Sequence, residues 1–579
     1  MFDKIDTALI FCAGYGKRLR PLTDILPKPL LPVNGCPMLF KIIDKLRGVG
    51  VKRFFVNIHH LPQKFADIFG LGSDIFTETD VAVANYNGCE IILVYEPEIL
   101  DTGGGIKNIL EKFKIDYPII VHNGDILFDA PAENFISSAE FAIRDDAFAS
   151  VCLRSSGNLA NVGISDDKIV DMRFQLGAEY EKLVQYCGFF VLSEKSYPFF
   201  KAEQQKAFSV VDTFLKMISS GKKLAVFMED FGSWDDIGTR KEYFSVNSAP
   251  LPDEFSALAA LCEAGFEPID LNRIAKGASA RRFFRFTSKG EKYVACFYCP
   301  EPKENLLYEK DAKFLEACFV PVPKIIYSDE SIRLSVMEDG GSRDMSEVPA
   351  TKKEVFYKKA LRAAKRLHTY ATAEYKKSPF DIASAFDDAL YSWEQNYFWD
   401  ECVIGEFQMN IERPEKEFSH LRSTLLSYPT SLVFRDFQSQ NIMVSENDEI
   451  RVIDFQGMRL GNPFYDVASL LFDPYVEPLS EEFLESVLRE YVFTEPYNSN
   501  IYNYEFAKEM LNLAGAQRLM QALGAYGFLS RKKGRLEYKK FFKPAAYNLE
   551  KCAKNVGLTE ISNIAKRIFE ESEKHKMLS

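Results

Sequence analysis

The run TALIFCAGYGKRLRPLT, from Thr7 to Thr23, decides how the first half of the chain is read. Its apolar stretch from Thr7 to Ala13 reads as a buried strand, which Gly14 and Gly16 turn into a basic loop carrying Lys17 and Arg18. Outward from it, strand-like and helix-like stretches alternate: Phe54 to Ile58, Ile91 to Tyr95, a helix after Gly105, and Ile119 to His122 before Asn123-Gly124-Asp125. This βαβ rhythm predicts an α/β domain with a mostly parallel, Rossmann-like sheet and helices on both faces. Ligands then sit at the carboxyl ends of the strands, where Gly14 and Asp125 fall.

After Tyr243 the pattern breaks at SVNSAPLP, residues 245–252, a composition suited to a linker. The expected organisation is a first domain over 1–244, a linker over 245–254 and a second domain over 255–579. Strand-like pieces around Arg282 to Phe286 and Tyr293 to Tyr298 give way to helical spacing, as from Lys352 to Tyr370. The second domain therefore reads as α+β and bilobal, in the manner of protein kinases, with a small lobe over about 255–340 and a helical lobe over about 341–579.

The 579 residues include 47% apolar and 27% charged ones, with 49 Phe and 27 Tyr, a supply suited to packed domains. Net charge is −12 and no Lys/Arg run makes a cationic stripe, so no nucleic-acid partner is expected. The start Met1-Phe2-Asp3-Lys4-Ile5-Asp6 has no signal-peptide pattern, and no segment approaches about 18 uninterrupted apolar residues. The expected location is cytoplasmic, with no membrane partner. Eleven Cys form no disulfide framework, and Cys296-Phe297-Tyr298-Cys299 reads as strand cysteines rather than a metal or redox pair.

Transfer of a nucleotidyl group brings a phosphate nucleophile against a triphosphate, two anions that need backbone N–H groups, cations and a metal between them. Gly14 and Gly16 let backbone approach phosphate, Lys17 and Arg18 add charge, and Lys28 adds more from the stiff segment Pro27-Lys28-Pro29-Leu30. The full series AGYGKRLRPLT (13–23), PKPLLPV (27–33), DTGGGI (101–106), NGD (123–125) and WDDIGT (234–239) resembles the sugar-1-phosphate nucleotidylyltransferases over residues 5 to 243. The Thr102-Gly103-Gly104-Gly105 loop looks most like the N-acetylmuramate 1-phosphate uridylyltransferase branch. The resemblance implies that Ala13, Gly14, Gly16, Thr102, Gly103 and Gly104 hold the nucleotide, that Arg18 and Lys28 are catalytic cations, and that Asp125 and Asp236 hold Mg²⁺. Two carboxylates suffice, because Mg²⁺ takes phosphate oxygens as well. Asn57 matches a position near substrate and Cys12 stands where the family has a small Ala. Asp235 reads as a surface residue, and His59 and His60 as loop or core residues.

Phosphoryl transfer to a hydroxyl needs a carboxylate for the acceptor and oxygen ligands for a metal. Asp436, Asn441 and Asp454 have the spacing of a kinase catalytic loop and metal-binding strand end. With GASARRFFRF (277–286), MEDGG (337–341), RDFQSQNIM (435–443) and VIDFQ (452–456), this half resembles aminoglycoside/choline kinase-like phosphotransferases, closest to anomeric N-acetylmuramate/N-acetylglucosamine kinases. The resemblance assigns Asp436 as base, Asn441 and Asp454 as metal ligands, Ser279 to the phosphate loop, Met337 and Glu338 to the adenine hinge, and Asp466 to support of the catalytic loop. Two positions depart from the pattern. Phe434 stands where relatives have His, and the strand Tyr293 to Phe297 lacks the Lys that meets ATP phosphates, leaving Arg281 or Arg282 to supply the charge. His368 reads as a packed core histidine. Retention of Asp436, Asn441 and Asp454 argues against a pseudokinase, since like charges without a metal repel.

A kinase acting on the anomeric hydroxyl makes the nucleophile that the other half consumes. The expected function is therefore ATP-dependent phosphorylation of N-acetylmuramate and/or N-acetylglucosamine, then uridylyl transfer from UTP to give the UDP-sugar and pyrophosphate, a route for peptidoglycan sugar recycling. Mg²⁺, ATP and UTP are the implied cofactor and co-substrates, and small sugars and nucleotides the implied partners. One alternative is a choline kinase fused to a CTP:phosphocholine cytidylyltransferase, for which Trp393, Tyr397 and Trp399 are candidate cage residues. The other is an active transferase with a silent kinase-like domain. The nucleobase, the sugar and the oligomeric state are left open.

Overall fold

The computed structural model describes residues 5–72, 74–155, 160–249, 251–274, 281–301, 303–493 and 503–577. The chain divides into two compact units between Pro268 and Ile269.

Fourteen strands belong to the first unit: β1 (Thr7–Cys12), β2 (Pro32–Val33), β3 (Cys36–Pro37), β4 (Arg53–Ile58), β5 (Val81–Tyr86), β6 (Cys89–Tyr95), β7 (Ile119–Asn123), β8 (Ile126–Phe128), β9 (Ala149–Arg154), β10 (Val162–Ser165), β11 (Lys168–Met172), β12 (Lys182–Leu192), β13 (Leu224–Met228) and β14 (Trp234–Asp236). Ten of them form one sheet in the order β10-β11-β13-β9-β12-β7-β1-β4-β6-β5. On β1, Ala8, Ile10 and Cys12 enter the core on one face and Leu9 the core on the other. A strand covered on both sides must be apolar at nearly every position, which is why Thr7 to Ala13 reads as an unbroken run.

The expectation of a mostly parallel sheet is corrected. The block β7-β1-β4-β6 is parallel, as is the pair β9–β13. The strands β5, β10, β11 and β12 run antiparallel to neighbours, so the sheet is mixed. For β5–β6 and β10–β11 the physical cause is a tight hairpin. Asn87 and Gly88 at φ 50° and 82°, and Asp166 and Asp167 at φ 51° and 55°, fold each strand straight back on its neighbour.

The domain boundary also differs from the sequence reading. The helix Arg240–Asn247 is followed by a helix Glu254–Glu263, whose cap Asp253 accepts from Ser256 N–H at 2.8 Å. Arg240 pairs with Glu263 at 2.7 Å and donates to Arg20 O at 2.6 Å, so residues 254–263 fold with the first unit. An apolar helix just beyond a Pro-rich stretch resembles the opening of a new domain when only its sequence is seen.

The second unit begins with an antiparallel five-stranded sheet in the order β15-β16-β17-β19-β18, where β15 is Ile269–Ile274, β16 Arg281–Ser288, β17 Glu291–Tyr298, β18 Ile325–Asp329 and β19 Leu334–Glu338. Short ribbons follow: β20 (Arg343–Asp344) with β22 (Ile442–Val444) and β23 (Ile450–Val452), and β21 (Ser431–Val433) with β24 (Arg459–Gly461). The rest is helical, built around the 29-residue helix Tyr504–Lys532, which is buried on most sides. A five-stranded sheet followed by a largely helical remainder is the α+β order expected for the second half. No helix among the described residues is long and apolar enough to cross a membrane.

Candidate active sites

In the first unit a cleft opens at the carboxyl ends of β1, β4, β6 and β7. Ala13, Gly14, Lys28, Asn57, Glu96, Thr102 and Asp125 are among its lining residues. Gly16 stands outside the lining and shapes the loop instead. Its φ is +61°, and a Cβ there would lie 2.8 Å from Thr23 Cγ2 and 3.2 Å from Lys28 Cβ. That close approach lets the loop fold over the Pro-flanked segment that presents Lys28, whose ammonium is ion-paired with Asp125.

A second pocket adjoins the first and shares Thr102 and Asn123 with it. Asp236, Trp234, Gln185, Tyr186 and Arg173 line it. Asp125 therefore belongs to one pocket and Asp236 to the next, with the Asp125 carbonyl accepting from Ile237 N–H at 3.2 Å across the junction. Burial, and then the charge of Asp125, raise the Asp236 carboxyl above its ordinary value, while Lys28 and Arg18 oppose the shift. Two carboxylates in mutual repulsion, both hard oxygen donors, fit a magnesium ion shared with phosphate oxygens. Asp235 alternates to the other side of β14 and lines a separate groove with Asp129. Arg18 does not line the first cleft. Its guanidinium lies against Gly238, where a Cβ would stand 2.8 Å from Nη2, beside the Asp236 turn.

Gly103 and Gly104 are corrected. Their N–H groups donate to Phe208 O at 2.9 and 3.2 Å, and their missing Cβ atoms make room for the Phe208 ring and Lys206 O, each 2.5 Å from where a Cβ would be. Both residues are buried in packing, and neither N–H is available to a nucleotide. Thr102 alone of that trio reaches the pockets, its hydroxyl accepting from Val210 N–H at 2.9 Å. His59 and His60 serve the loops: His59 meets Glu96 O and the Tyr15 hydroxyl, and His60 meets Thr23 O.

Two residues outside the motif series complete this site. Glu96, 1% exposed, accepts from Asn57 Nδ2 at 2.9 Å, and Asn57 Oδ1 accepts from Cys12 N–H at 2.9 Å. Burial raises the Glu96 carboxyl, against the Asn57 amide and the Leu100 N–H. Arg173, at φ +58°, opens a loop tied down by Asp171, whose buried carboxylate accepts from the N–H groups of Gln175, Leu176 and Gly177 at 3.0, 3.2 and 3.0 Å. A polar residue inside an apolar strand end marks Asn57 in the sequence. No comparable pattern marks Arg173.

In the second unit Asp436 sits in the loop after β21. Asp466, fully buried on the helix Phe464–Leu471, accepts from the N–H groups of Phe434 at 2.7 Å and Arg435 at 2.8 Å. It also meets His368 Nε2 at 3.0 Å, and His368 Nδ1 meets the Tyr491 hydroxyl at 2.8 Å. Asp466 thus supports the loop, and His368 braces it from another helix although Phe434 has replaced the loop histidine. Asn441 Nδ2 donates to Asp436 O at 2.9 Å, which leaves the amide oxygen as a hard donor alongside the Asp454 carboxylate. That pair also fits magnesium.

Arg281 is ion-paired with Asp454. Burial would raise the Asp454 carboxyl, yet Arg281, with Gln456 and Arg435 behind it, holds it below its ordinary value. On the neighbouring strand Cys296 is buried, and burial pushes its thiol up to about 12, with Arg281 and Asp454 the charges acting on it. Cys296 therefore lies in the small-lobe strand where the usual Lys is missing, and a cation arrives from β16 instead. Ser279 lies outside the described residues. Met337 is buried against the Tyr308 hydroxyl, at 3.3 Å from its sulfur. Glu338 is tied to Arg451 at 2.7 Å, and its N–H is committed to Lys324 O at 3.0 Å, so that N–H does not serve an adenine.

Residues 7–159 match the Nucleotidyl transferase family and residues 270–499 match the Phosphotransferase enzyme family. The chain is 35% identical over 123 residues to mannose-1-phosphate guanylyltransferase of Mycobacterium tuberculosis, covering 21% of this chain and 31% of that protein. It is 25% identical over 246 residues to the bifunctional protein GlmU of Methanocaldococcus jannaschii, covering 42% and 53%. It thus spans about half, or less, of the length of these curated relatives. Among solved structures, the inositol-1-phosphate CTP transferase of T. maritima is 18% identical, with a TM-score of 0.33, covering 46% of this chain and 99% of that one. By domain family, the chain is a fusion of a nucleotidyl transferase domain with a kinase-like phosphotransferase domain.

Proposed function

We propose that the second domain phosphorylates a free amino sugar, N-acetylmuramate and/or N-acetylglucosamine, at its anomeric hydroxyl, and that the first converts the 1-phosphate with UTP to a UDP-sugar. The observation that carries this reading is the conjunction of the two domain families in one chain. A kinase of small hydroxyl compounds supplies a phosphate monoester, and a nucleotidyl transferase consumes one. We place the reactions in the cytoplasm, in recycling of peptidoglycan sugars.

In the second domain Asp436 takes the proton of the sugar hydroxyl as its oxygen attacks the γ-phosphorus of ATP, and ADP leaves. Asn441 and Asp454 would hold Mg²⁺, which when bound offsets phosphate charge, and Arg281 adds a fixed cation on the same side. In the first domain a 1-phosphate oxygen attacks the α-phosphorus of UTP and pyrophosphate leaves. Lys28 faces the nucleotide cleft and Arg173 the adjoining pocket, so each anion meets its own cation. Asp125 and Asp236 would hold the ion there.

The choline alternative gains no support from the aromatic residues proposed for it. Trp393 and Tyr397 stack on each other at 5.0 Å, whereas Trp399 is buried beneath Arg413, its ring centre 5.9 Å from the guanidinium. A cage for a quaternary ammonium needs ring faces turned on one point. The test is phosphorus NMR of the protein with Mg²⁺, ATP and UTP and, separately, N-acetylmuramate, N-acetylglucosamine and choline. UDP-sugar from free sugar is the expected product. Pyrophosphate released only from supplied sugar 1-phosphate would leave the kinase-like domain without this role.

A further inference from the structure

Arg518 stands in the middle of the helix Tyr504–Lys532, 8% exposed, between the buried Ala514 and Met520. Its hydrogen bonds go to neutral oxygens: Nε donates to Ser469 Oγ at 3.2 Å, Nη1 to Gln521 Oε1 at 2.6 Å and Nη2 to Gln438 Oε1 at 3.3 Å. A guanidinium carries five N–H groups in a planar fork suited to a carboxylate. The carboxylate it faces is that of Asp436, but Nη2 to Oδ1 is 3.7 Å, too long for a hydrogen bond. Arg435 approaches the other oxygen no closer than 4.0 Å.

The remaining buried carboxylates nearby are engaged elsewhere. Glu394 accepts from the Tyr465 hydroxyl at 2.9 Å and Gln517 Nε2 at 3.0 Å. Asp473 accepts from Ser439 N–H and hydroxyl at 2.8 and 2.5 Å and from Tyr475 N–H at 2.9 Å. Among the described residues, no carboxylate is hydrogen-bonded to Arg518. A buried cation beside the phosphorylation centre and short of a bonded anion is a site that an anionic ligand completes.

The geometry points to Arg518 as the anchor for a carboxylate of the acceptor, so that the kinase half takes a sugar acid, held by its carboxylate on Arg518 while the hydroxyl to be phosphorylated faces Asp436. This rests on the sugar-kinase reading above and narrows it from amino sugars in general to those bearing a carboxylate. Neutral sugars leave the fork unfilled, and cationic acceptors meet two guanidinium groups across Asp436.

The test measures ADP formation by the full chain with N-acetylmuramate, its carboxamide and N-acetylglucosamine, for the wild type and for Arg518→Gln and Arg518→Lys. For the wild type, kcat/KM should fall at least about tenfold from the carboxylate to the carboxamide. Arg518→Gln should raise KM for N-acetylmuramate about 30-fold and for N-acetylglucosamine less than threefold, and Arg518→Lys should recover part of the difference. The carboxamide comparison needs no variant to fold. Equal turnover of carboxylate and carboxamide, or equal losses on both sugars in Arg518→Gln, would overturn the inference and leave the sugar-kinase reading standing. If the wild type phosphorylates none of the three, both fall together.

Discussion

The two candidate sites bring a cation to a carboxylate in different ways. In the first unit Lys28 reaches Asp125 from a Pro-flanked turn 16 residues beyond the end of the strand that opens the site. In the second, the cation on Asp454 comes from β16, and the strand where the usual Lys is missing carries Cys296. Local chain geometry fixes the first cation, whereas pairing between two strands fixes the second. A substitution that leaves β16 in register can therefore move the charge without moving the site.

The largest expected effect separates the two halves. Asp436→Asn should lower sugar-dependent ADP release by about 10³-fold or more and leave pyrophosphate release from supplied sugar 1-phosphate unaltered. Equal losses in both assays would mean that the two reactions do not map onto the two domains. Next, Lys28→Ala should cost the first reaction about 10²-fold in kcat/KM, measured by pyrophosphate release, because a buried cation is removed from the charge it offsets. A smaller change, about 30-fold in the KM for ATP, is expected for Arg281→Ala. The double variant Arg281→Ala/Cys296→Lys, which returns the charge to β17, should win back part of it; a double variant no better than the single one would show that strand position, not charge, is what counts.

The smallest effect concerns two buried carboxylates treated in opposite ways. Asp171 in the first unit accepts from three backbone N–H groups, whereas Asp311 in the second is fully buried and neither of its oxygens has a hydrogen-bond partner. Burial pushes the Asp311 carboxyl up to about 8. Because the unfolded chain ionises this group near pH 4 and the folded chain near 8, folding stability is fully present below about pH 4 and is lost as pH rises through that window. Asp311→Asn removes the dependence. Its denaturation midpoint should match the wild type at pH 5 more closely than at pH 8, where it should be the more stable by about 1–2 kcal/mol. A gap that does not widen with pH would show that Asp311 ionises in the folded chain at the same pH as in the unfolded one.

Much of the first site can be read from the chain because its parts are contiguous. Gly14, Lys28, Thr102, Asp125 and Asp236 lie in short motifs, and the structure brings them to two adjoining pockets. Where the reading failed, one residue type served two ends. Gly103 and Gly104 have the look of a phosphate loop, but their lack of Cβ is used for packing on Phe208. The antiparallel pair β5–β6 carries a signal that the βαβ reading passes over, since Asn87-Gly88 between two strand-like runs is the commonest mark of a two-residue hairpin. Arg173 and Arg518 join their sites from elements remote in sequence. For Arg518 a faint signal existed, since an arginine inside the otherwise apolar stretch of a long helix is rarely without a polar partner.

The clip formed by Asn57 and Glu96 has a mechanical consequence. Asn57 holds the end of β1 through the Cys12 N–H, and Glu96 holds Asn57 while also meeting the Leu100 N–H at 3.4 Å, just before the helix Asp101–Lys112. The two jaws of the cleft are thereby braced against each other at a set span. The width between the end of β1 and the start of that helix is set by the chain's own hydrogen bonds.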